Sequence, residues 1–301
     1  MASFEFTVPP TMARAEFDRA DQIRKHPERL ATAWAGARVL HVDHRGRYPV
    51  TADGAIAWEE ATGDEPPAGA LFLGDADGYR WALRVDEVTG PSADARTGAH
   101  RLSHDEAGLL ATAVGMLNWH RTARFSPVDG SELTPSQGGW LLSTAAGADE
   151  FPRTDPAVIM VVHDGADQVL LGRQSVWPDR WFSTLAGFVE PGESLEQCVQ
   201  REVYEEAGII VHSPGYLGSQ PWPFPRSLMC GFEAVADPTQ PLELRDGELA
   251  DAQWFHRDEV LTALERGDDW AGDNPDGRLM LPGSISIARS LIDGWARAPR
   301  S

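Results

Sequence analysis

The segment from Gly187 to Ile209, which reads GFVEPGESLEQCVQREVYEEAGI, constrains the fold of this chain most strongly. It carries six glutamates and one arginine, a local charge of -5 over 23 residues, so the folded segment needs a counter-charge. The turn Glu190-Pro191-Gly192-Glu193 cannot lie inside a helix, whereas Ser194 can cap a helix from Leu195 to Ala207 that Gly208 ends. The sequence therefore predicts an acidic turn followed by a short helix.

Three carboxylates share one side of this predicted helix. Glu202 and Glu206 are four residues apart, and Glu205 follows Glu202 by three residues. Like charges at these spacings destabilise a helix by roughly 0.2–0.5 kcal/mol per pair unless a cation lies among them. Hard divalent cations prefer oxygen ligands of this kind. A solvated helix with an acidic stripe is the alternative to a metal site.

The spacing of the whole segment resembles the Nudix box, G-x5-E-x7-R-E-U-x-E-E-x-G-U, at all nine fixed positions. The resemblance implies an α/β fold, the Nudix α/β/α sandwich with a mixed sheet, preceded here by a smaller α+β domain. It also implies that the chain holds Mg2+ or Mn2+ and hydrolyses a nucleoside diphosphate linked to another moiety. Within the box, the residues expected to shape the loop and helix are Gly187, Glu193, Arg201 and Gly208.

The resemblance also implies a role for each acidic residue of the site. Glu202 and Glu206 are expected to be the main metal ligands, and Glu205 to be a ligand or the base that orients water. Arg201 and Glu193 are expected to form an ion pair that fixes the loop against the helix. Two further metal ligands are expected outside the helix, the main-chain carbonyl of Ala186 and the side chain of Glu248.

A second motif, SQPWPFPRS, begins ten residues after the box. Prolines at alternate positions favour an extended chain and predict a stiff aromatic wall, although a strand or a partner-docking segment would also suit such a string in isolation. Together with the box, it resembles the signature of the NADH pyrophosphatase branch of Nudix hydrolases, which cleave NAD(H) to a nicotinamide mononucleotide and AMP and also remove NAD caps from RNA. The residues then expected along the substrate are Gln220, Pro221, Trp222, Pro223, Phe224, Pro225, Arg226 and Ser227.

The same resemblance assigns aromatic and small residues to the substrate. Phe188, directly after the first glycine of the box, is expected to offer a flat face to the nicotinamide ring, a contact of about 1 kcal/mol beyond buried area. Phe151 is expected to supply the opposite face from the other subunit of a homodimer, and Ala288 to lie in a substrate-contacting stretch. Ordinary core packing is the alternative for both phenylalanines.

The rest of the chain predicts two domains joined by a connector. Residues 1–124 read as an α+β domain with strands at 37–42 and 71–73 and a capped amphipathic helix that starts after Ser103. Residues 125–150 read as a connector with little periodicity. Residues 151–301 read as the catalytic domain, with a hairpin around the turn 163–167 and later helices at 257–266 and 284–296.

The cysteines exclude one class of metal site. Relatives often carry a zinc ribbon of two Cys-x-x-Cys pairs after the first domain, but the corresponding residues here are Phe125-Ser126-Pro127-Val128-Asp129-Gly130. Only Cys198 and Cys230 are present, so four-thiolate zinc binding is excluded, and no structural Zn2+ is expected. The connector is therefore expected to be held by packing alone, and both cysteines to be buried small hydrophobes.

Charge and composition exclude other functions. The formal net charge is -20 and Lys25 is the sole lysine, so broad binding to phosphate backbones is disfavoured and a G-x-x-x-x-G-K-[ST] loop is impossible. Because the sequence has no apolar run long enough for a membrane helix, the expected compartment is the cytoplasm.

Two alternative functions remain open. One is a catalytically silent NAD(H) sensor, and the other is a hydrolase that acts mainly on another nucleoside diphosphate derivative such as ADP-ribose. Because the net charge is -20, NAD-capped RNA is expected to be bound only through the cap and its first nucleotides.

Overall fold

The structure is a computed structural model that describes residues 3–245, 247–268 and 277–299. The chain forms two compact units. The N-terminal unit contains residues 12–154 and 221–227, and the C-terminal unit contains residues 1–11, 155–220 and 228–301. Each unit therefore includes a short segment from a distant part of the sequence.

The N-terminal unit is an α+β fold. Its principal sheet has the strand order β3-β1-β5-β4, with β1 and β5 parallel, and β2 pairs with β6 separately. The strands predicted at 37–42 and 71–73 are confirmed as β1 and β4, and Ser103 and Glu106 form the predicted capping box at the start of α4. The helices are α1 (Asp21–Arg24), α2 (Pro27–Trp34), α3 (Ala95–Gly98) and α4 (His104–Thr122), and the strands are β1 (Arg38–Val42), β2 (Arg47–Pro49), β3 (Glu59–Glu60), β4 (Leu71–Asp75), β5 (Tyr79–Arg84) and β6 (Ser92–Asp94).

The segment 125–150 corrects two predictions, because it has regular structure and is not held by packing alone. It contains β7 (Thr134–Ser136), β8 (Leu141–Ser143) and β9 (Asp149–Glu150), which form a sheet in that order. Backbone bonds from Ser126 to Ser131 and from Gly130 to Ser126 close the turn that replaces the cysteine pair. The indole N–H of Trp140 donates to the carbonyl of Phe72 at 2.6 Å. Short strands without strict alternation conceal this sheet in the sequence.

The C-terminal unit is built around one larger sheet. The order of its strands is β13-β14-β10-β11-β15, with β12 paired to β10. The predicted hairpin is confirmed, because β10 and β11 pair in antiparallel fashion across the turn after His163. The strands are β10 (Asp155–His163), β11 (Gln168–Gln174), β12 (Leu185–Phe188), β13 (His212–Trp222), β14 (Ser227–Val235) and β15 (Leu249–His256), and the helices are α5 (Leu195–Ala207), α6 (Arg257–Leu264) and α7 (Ile287–Arg297).

Helices cover both faces of this sheet, as the predicted sandwich requires. Successive side chains of a strand point to opposite faces, and β10 is buried on both. Val158 and Met160 pack in one apolar cluster with Val199 of α5, whereas Ile159 packs in another with Leu291 of α7. Helix α5 is therefore held against the sheet by its apolar side. No helix among the described residues combines the length and the apolar character that crossing a membrane requires.

An N-terminal arm, residues 3–11, packs within the C-terminal unit. Phe4 belongs to the apolar cluster of α6 and α7, and the ring of Phe6 lies against Gly218. The backbone N–H and the hydroxyl of Ser3 both donate to the buried carboxylate of Glu233, which also contacts Nε2 of His163 at 3.3 Å. Local sequence patterns give no signal for these contacts, because their partners lie more than 150 residues away.

Candidate active site

The acidic helix has the bounds that the sequence predicts. Helix α5 spans Leu195–Ala207, and Ser194 accepts a hydrogen bond from the backbone N–H of Gln197 in a capping box. Gly208 follows in the left-handed conformation with φ 72° and ends the helix. A left-handed residue directly after the last turn is most easily a glycine, since a side chain would be strained there. Cap and stop thus fix the register in which the glutamates are presented.

Gly187 brings strand β12 into contact with α5. A Cβ atom at this position would overlap the carboxylate of Glu202, so another residue fits only if the Glu202 side chain moves aside. Gly187 pairs with Val158, and Ala186 pairs with Ile159, in the ladder between β12 and β10. The first glycine of the box therefore provides space for Glu202 beside the strand that carries Ala186.

Arg201 connects the turn, the helix and β12. Its guanidinium makes a bidentate contact with Glu193, through Nη2 to Oε1 at 2.6 Å and Nε to Oε2 at 3.0 Å, so the predicted ion pair is present. Nη1 donates to Glu202 at 2.8 Å and to Glu205 at 2.9 Å. Nη2 also donates to the carbonyl of Phe188 at 2.9 Å. One cation therefore joins three carboxylates and one backbone carbonyl.

These contacts and burial shift the pKa values of Glu193 and Glu202 in opposite directions. The hydrogen bonds from Arg201 lower the pKa of Glu193 to about 2. Burial raises the pKa of Glu202, the contact with Arg201 opposes that rise, and the charges of Glu205 and Glu248 add to it. Glu248 is thus close enough to Glu202 for its charge to act there. An added positive charge at this point would favour the ionised form of Glu202.

Glu206 and Glu248 complete the acidic group. The side chain of Glu206 is 3% exposed, so α5 buries a carboxylate among its apolar residues. Glu248 precedes β15, in a loop whose earlier part is tied to the end of α5 by a bond from the Glu243 N–H to the Ala207 carbonyl at 2.9 Å. A second tie, between the Arg245 guanidinium and the Tyr204 ring at 4.4 Å, was not predicted from the sequence.

The donor set has the chemistry that a hard divalent cation requires. Buried or partly buried carboxylates that repel one another are neutralised either by a cationic side chain or by a metal ion. Within the described ranges, no three acidic, histidine or cysteine side chains converge on one point as they stand. Instead, Nη1 of Arg201 contacts the carboxylates of both Glu202 and Glu205.

The proline-rich motif corrects a third prediction. Strand β13 ends at Trp222, the residues 223–226 form a turn, and β14 begins at Ser227, so the motif is not extended throughout. The backbone N–H of Phe224 donates to the carbonyl of Trp222 at 2.8 Å within this turn. Prolines suit such a turn because they have no N–H to continue a strand ladder. The aromatic pair remains, with the rings of Trp222 and Phe224 edge to face at 5.1 Å.

Other residues assigned to the substrate differ in exposure. Phe188 is 61% exposed and Phe151 is 66% exposed, in different units, so neither is an ordinary core residue. Gln220 is fully buried: its amide donates to the carbonyls of Thr11 and Ile285, and its oxygen accepts from the N–H of Ile287. Contact of Gln220 with the substrate stays a prediction, as does that of Ala288, whose side chain is 2% exposed.

Comparison with known proteins gives the family. The profile of the NUDIX domain matches residues 153–273. The NAD-capped RNA hydrolase NudC of Mycobacterium tuberculosis is 47% identical over 306 residues, which cover 97% of this chain and 96% of that protein. The NAD-capped RNA hydrolase NUDT12 of Homo sapiens is 39% identical over 207 residues, which cover 65% of this chain and 43% of that protein. This chain therefore belongs to the Nudix hydrolase family.

Proposed function

We propose that this protein hydrolyses the diphosphate bond of NAD(H), giving nicotinamide mononucleotide and AMP, and that it removes NAD caps from RNA. The observation that carries the proposal is the 47% identity, over 97% of the chain, to hydrolases named for NAD-capped RNA. The intact acidic group around Gly187 supports it, because a silent sensor would have no need of buried, mutually repelling carboxylates. Nudix hydrolases generally use divalent metals, and Mg2+ or Mn2+ suits the oxygen donors of this site.

The proposed ligands are the side chains of Glu202 and Glu206, with Glu205, Glu248 and the Ala186 carbonyl completing the set. A divalent cation bound there would neutralise diphosphate oxygens and lower the pKa of a water molecule. The side chain of Glu205 is 48% exposed, so it can reach a water molecule and accept its proton. The ion pair of Arg201 and Glu193 would keep the turn and the helix together when Glu202 and Glu205 leave Arg201 to bind the cation.

The proposed substrate contacts select the nicotinamide half. Phe188 lies at the end of β12, and its carbonyl accepts a hydrogen bond from Arg201, so the main chain at Phe188 is coupled to the acidic helix. A planar aromatic face that is already exposed can stack on nicotinamide without a rearrangement of the core. We include the turn 223–226 and Phe151 among the proposed contacts because the motif resemblance assigns them.

The proposal also covers the domain organisation, the oligomeric state, the absence of structural zinc and the cellular compartment. Residues 151–301 would be the catalytic domain, residues 1–124 the N-terminal domain and residues 125–150 their connector. A homodimer is supported by large apolar side chains left exposed in the N-terminal unit, such as Phe125 at 58%. A zinc-free connector is supported by the hydrogen-bonded turn around Ser126. The cytoplasm is supported by two free, buried cysteines, which suit a reducing compartment.

Product analysis tests this function directly. Purified protein incubated with NADH and Mg2+ or Mn2+ is expected to release AMP and reduced nicotinamide mononucleotide in equal amounts. Parallel incubations with NAD-capped RNA and with ADP-ribose rank the substrates. Absence of AMP with both metals would overturn the proposal, and faster turnover of ADP-ribose than of both NAD(H) and NAD-capped RNA would assign the enzyme to that other substrate.

A further inference from the structure

The turn 223–226 belongs to the same compact unit as helix α4, although more than 100 residues separate them in the chain. Pro223 is buried, and its carbonyl accepts a hydrogen bond from the side-chain amide of Asn118 at 3.1 Å. Pro223 and Pro225 have no N–H groups, so this turn can satisfy few of its own carbonyls. Asn118 supplies a donor that the turn itself lacks.

Helix α4 also provides space for the turn. Gly115 lies one helical turn before Asn118 on the same face, and a Cβ atom there would be 3.5 Å from Cβ of Pro223. That distance is ordinary van der Waals contact, so alanine fits at position 115. A longer side chain would occupy the place of Pro223 and displace the turn.

Arg96 of helix α3 provides a third contact. Its guanidinium carbon lies 5.2 Å from the centroid of the Phe224 ring, within the range of a cation–π interaction. The ring of Trp222 also meets Phe224 edge to face, with the ring centroids 5.1 Å apart. The Phe224 ring therefore has two contacts, with a cation and with an indole, that favour its present position before any ligand binds.

We propose that Asn118, Gly115 and Arg96 are positioning residues for the turn 223–226, and that through them the N-terminal unit sets the affinity for NAD(H). The inference rests on the proposed function, in which this turn lies along the substrate. A turn that is already held in its bound conformation loses less conformational entropy when the substrate binds. Removal of its contacts is therefore expected to weaken substrate binding more than it slows the chemical step. This gives the N-terminal unit a role in substrate binding.

The experiment combines NADH affinity with kinetics. The Kd of NADH is measured by its fluorescence without metal, and KM and kcat with Mn2+, for wild type, Asn118→Leu, Gly115→Ala, Gly115→Leu and Arg96→Ala. Asn118→Leu is expected to raise Kd and KM roughly three- to tenfold, as loss of one hydrogen bond does, with kcat nearly unchanged. Arg96→Ala is expected to raise them roughly two- to fivefold. Gly115→Leu is expected to raise them and Gly115→Ala is not.

Controls separate positioning from folding. Thr122 lies on the same face of α4 as Asn118, and its hydroxyl donates to carbonyls of α4. Thr122→Ala is therefore expected to match wild type in Kd and KM. If Gly115→Leu fails to fold, Arg96→Ala still tests the proposal, because the Arg96 side chain is exposed. Unchanged Kd and KM in Asn118→Leu and Arg96→Ala, or a loss of kcat alone, would overturn the inference. A wild type that binds NADH but releases no AMP would contradict only the proposed function, because Kd still reports on the turn.

Discussion

Among single residues, Arg201 determines most of the geometry of the site. It neutralises Glu202 and Glu205 and fixes Glu193 and the carbonyl of Phe188. An arginine can do this because its planar guanidinium offers five donors in a fixed arrangement, which lysine does not. The sequence predicted the pair with Glu193. The contacts with Glu202 and Glu205 lie within α5, whereas the contact with the Phe188 carbonyl depends on how β12 packs against α5.

Glu206 gives the sharpest catalytic prediction. Glu206→Gln keeps the size of this buried side chain but removes a charge that a divalent cation needs. Turnover of NADH is expected to fall by more than about 100-fold, since even outer partners of metal ligands cost about 10- to 100-fold. Steady-state release of AMP measures it, with Glu196→Gln, an exposed change on the same helix, as the control. Activity within a few fold of wild type would remove Glu206 from the ligand set.

Glu193 gives a prediction about stability and pH. A carboxyl group whose pKa is lowered by folding stabilises the fold above its unfolded pKa and loses this contribution as the pH falls. For Glu193, the contribution is complete at neutral pH and declines as the pH falls below about 4.5 toward about 2. Glu193→Gln is expected to lower the free energy of unfolding at pH 7 by about 1–3 kcal/mol. The difference from wild type is expected to shrink at pH 4.

Urea denaturation of both proteins at the two pH values measures this difference. Many other carboxylates titrate over the same range, but they are common to wild type and variant, so the difference isolates Glu193. A difference that does not change with pH would show that the ion pair with Arg201 contributes nothing to the unfolding free energy.

At the scale of elements, local patterns predicted what local chemistry determines. Helix α5 was predicted with its caps because Ser194, Gly208 and the apolar positions between them all act within a few residues. The turn 223–226 was predicted as extended because alternate prolines suit both conformations, and only the pairing of the flanking strands decides between them. The sheet β7-β8-β9 was missed because its strands are three residues or shorter.

The N-terminal arm shows the same limit, and it leads to a prediction. Phe4 is 7% exposed within the cluster of α6 and α7. Phe4→Ala is expected to lower the free energy of unfolding by about 3–5 kcal/mol, the usual cost of removing a buried phenylalanine side chain. Chemical denaturation measures it, with Val8→Ala, at a side chain that is 52% exposed, as the control. A change below about 1 kcal/mol would mean that the arm does not stabilise the C-terminal unit.

At the scale of the whole molecule, the net charge of -20 limits how RNA can bind. A protein that neutralises many phosphates loses affinity steeply as salt is added. For single strands, the logarithm of the binding constant falls with the logarithm of the salt concentration by a slope of about 0.7 per phosphate contact. We expect kcat/KM for NAD-capped RNA to fall only slightly more steeply with salt than kcat/KM for NADH. Rates measured over a range of potassium chloride concentrations test this. A much steeper slope with RNA would reveal phosphate contacts beyond the first nucleotides.

We propose that the carboxylates of α5 hold a divalent cation. Anomalous diffraction from a crystal of the protein soaked in Mn2+ tests it most directly, because the signal locates manganese without reference to activity. We expect an anomalous peak within bonding distance of oxygens from Glu202 and Glu206, with Glu202 turned away from Arg201. A peak elsewhere, or none at these glutamates in crystals that still hydrolyse NADH, would contradict it.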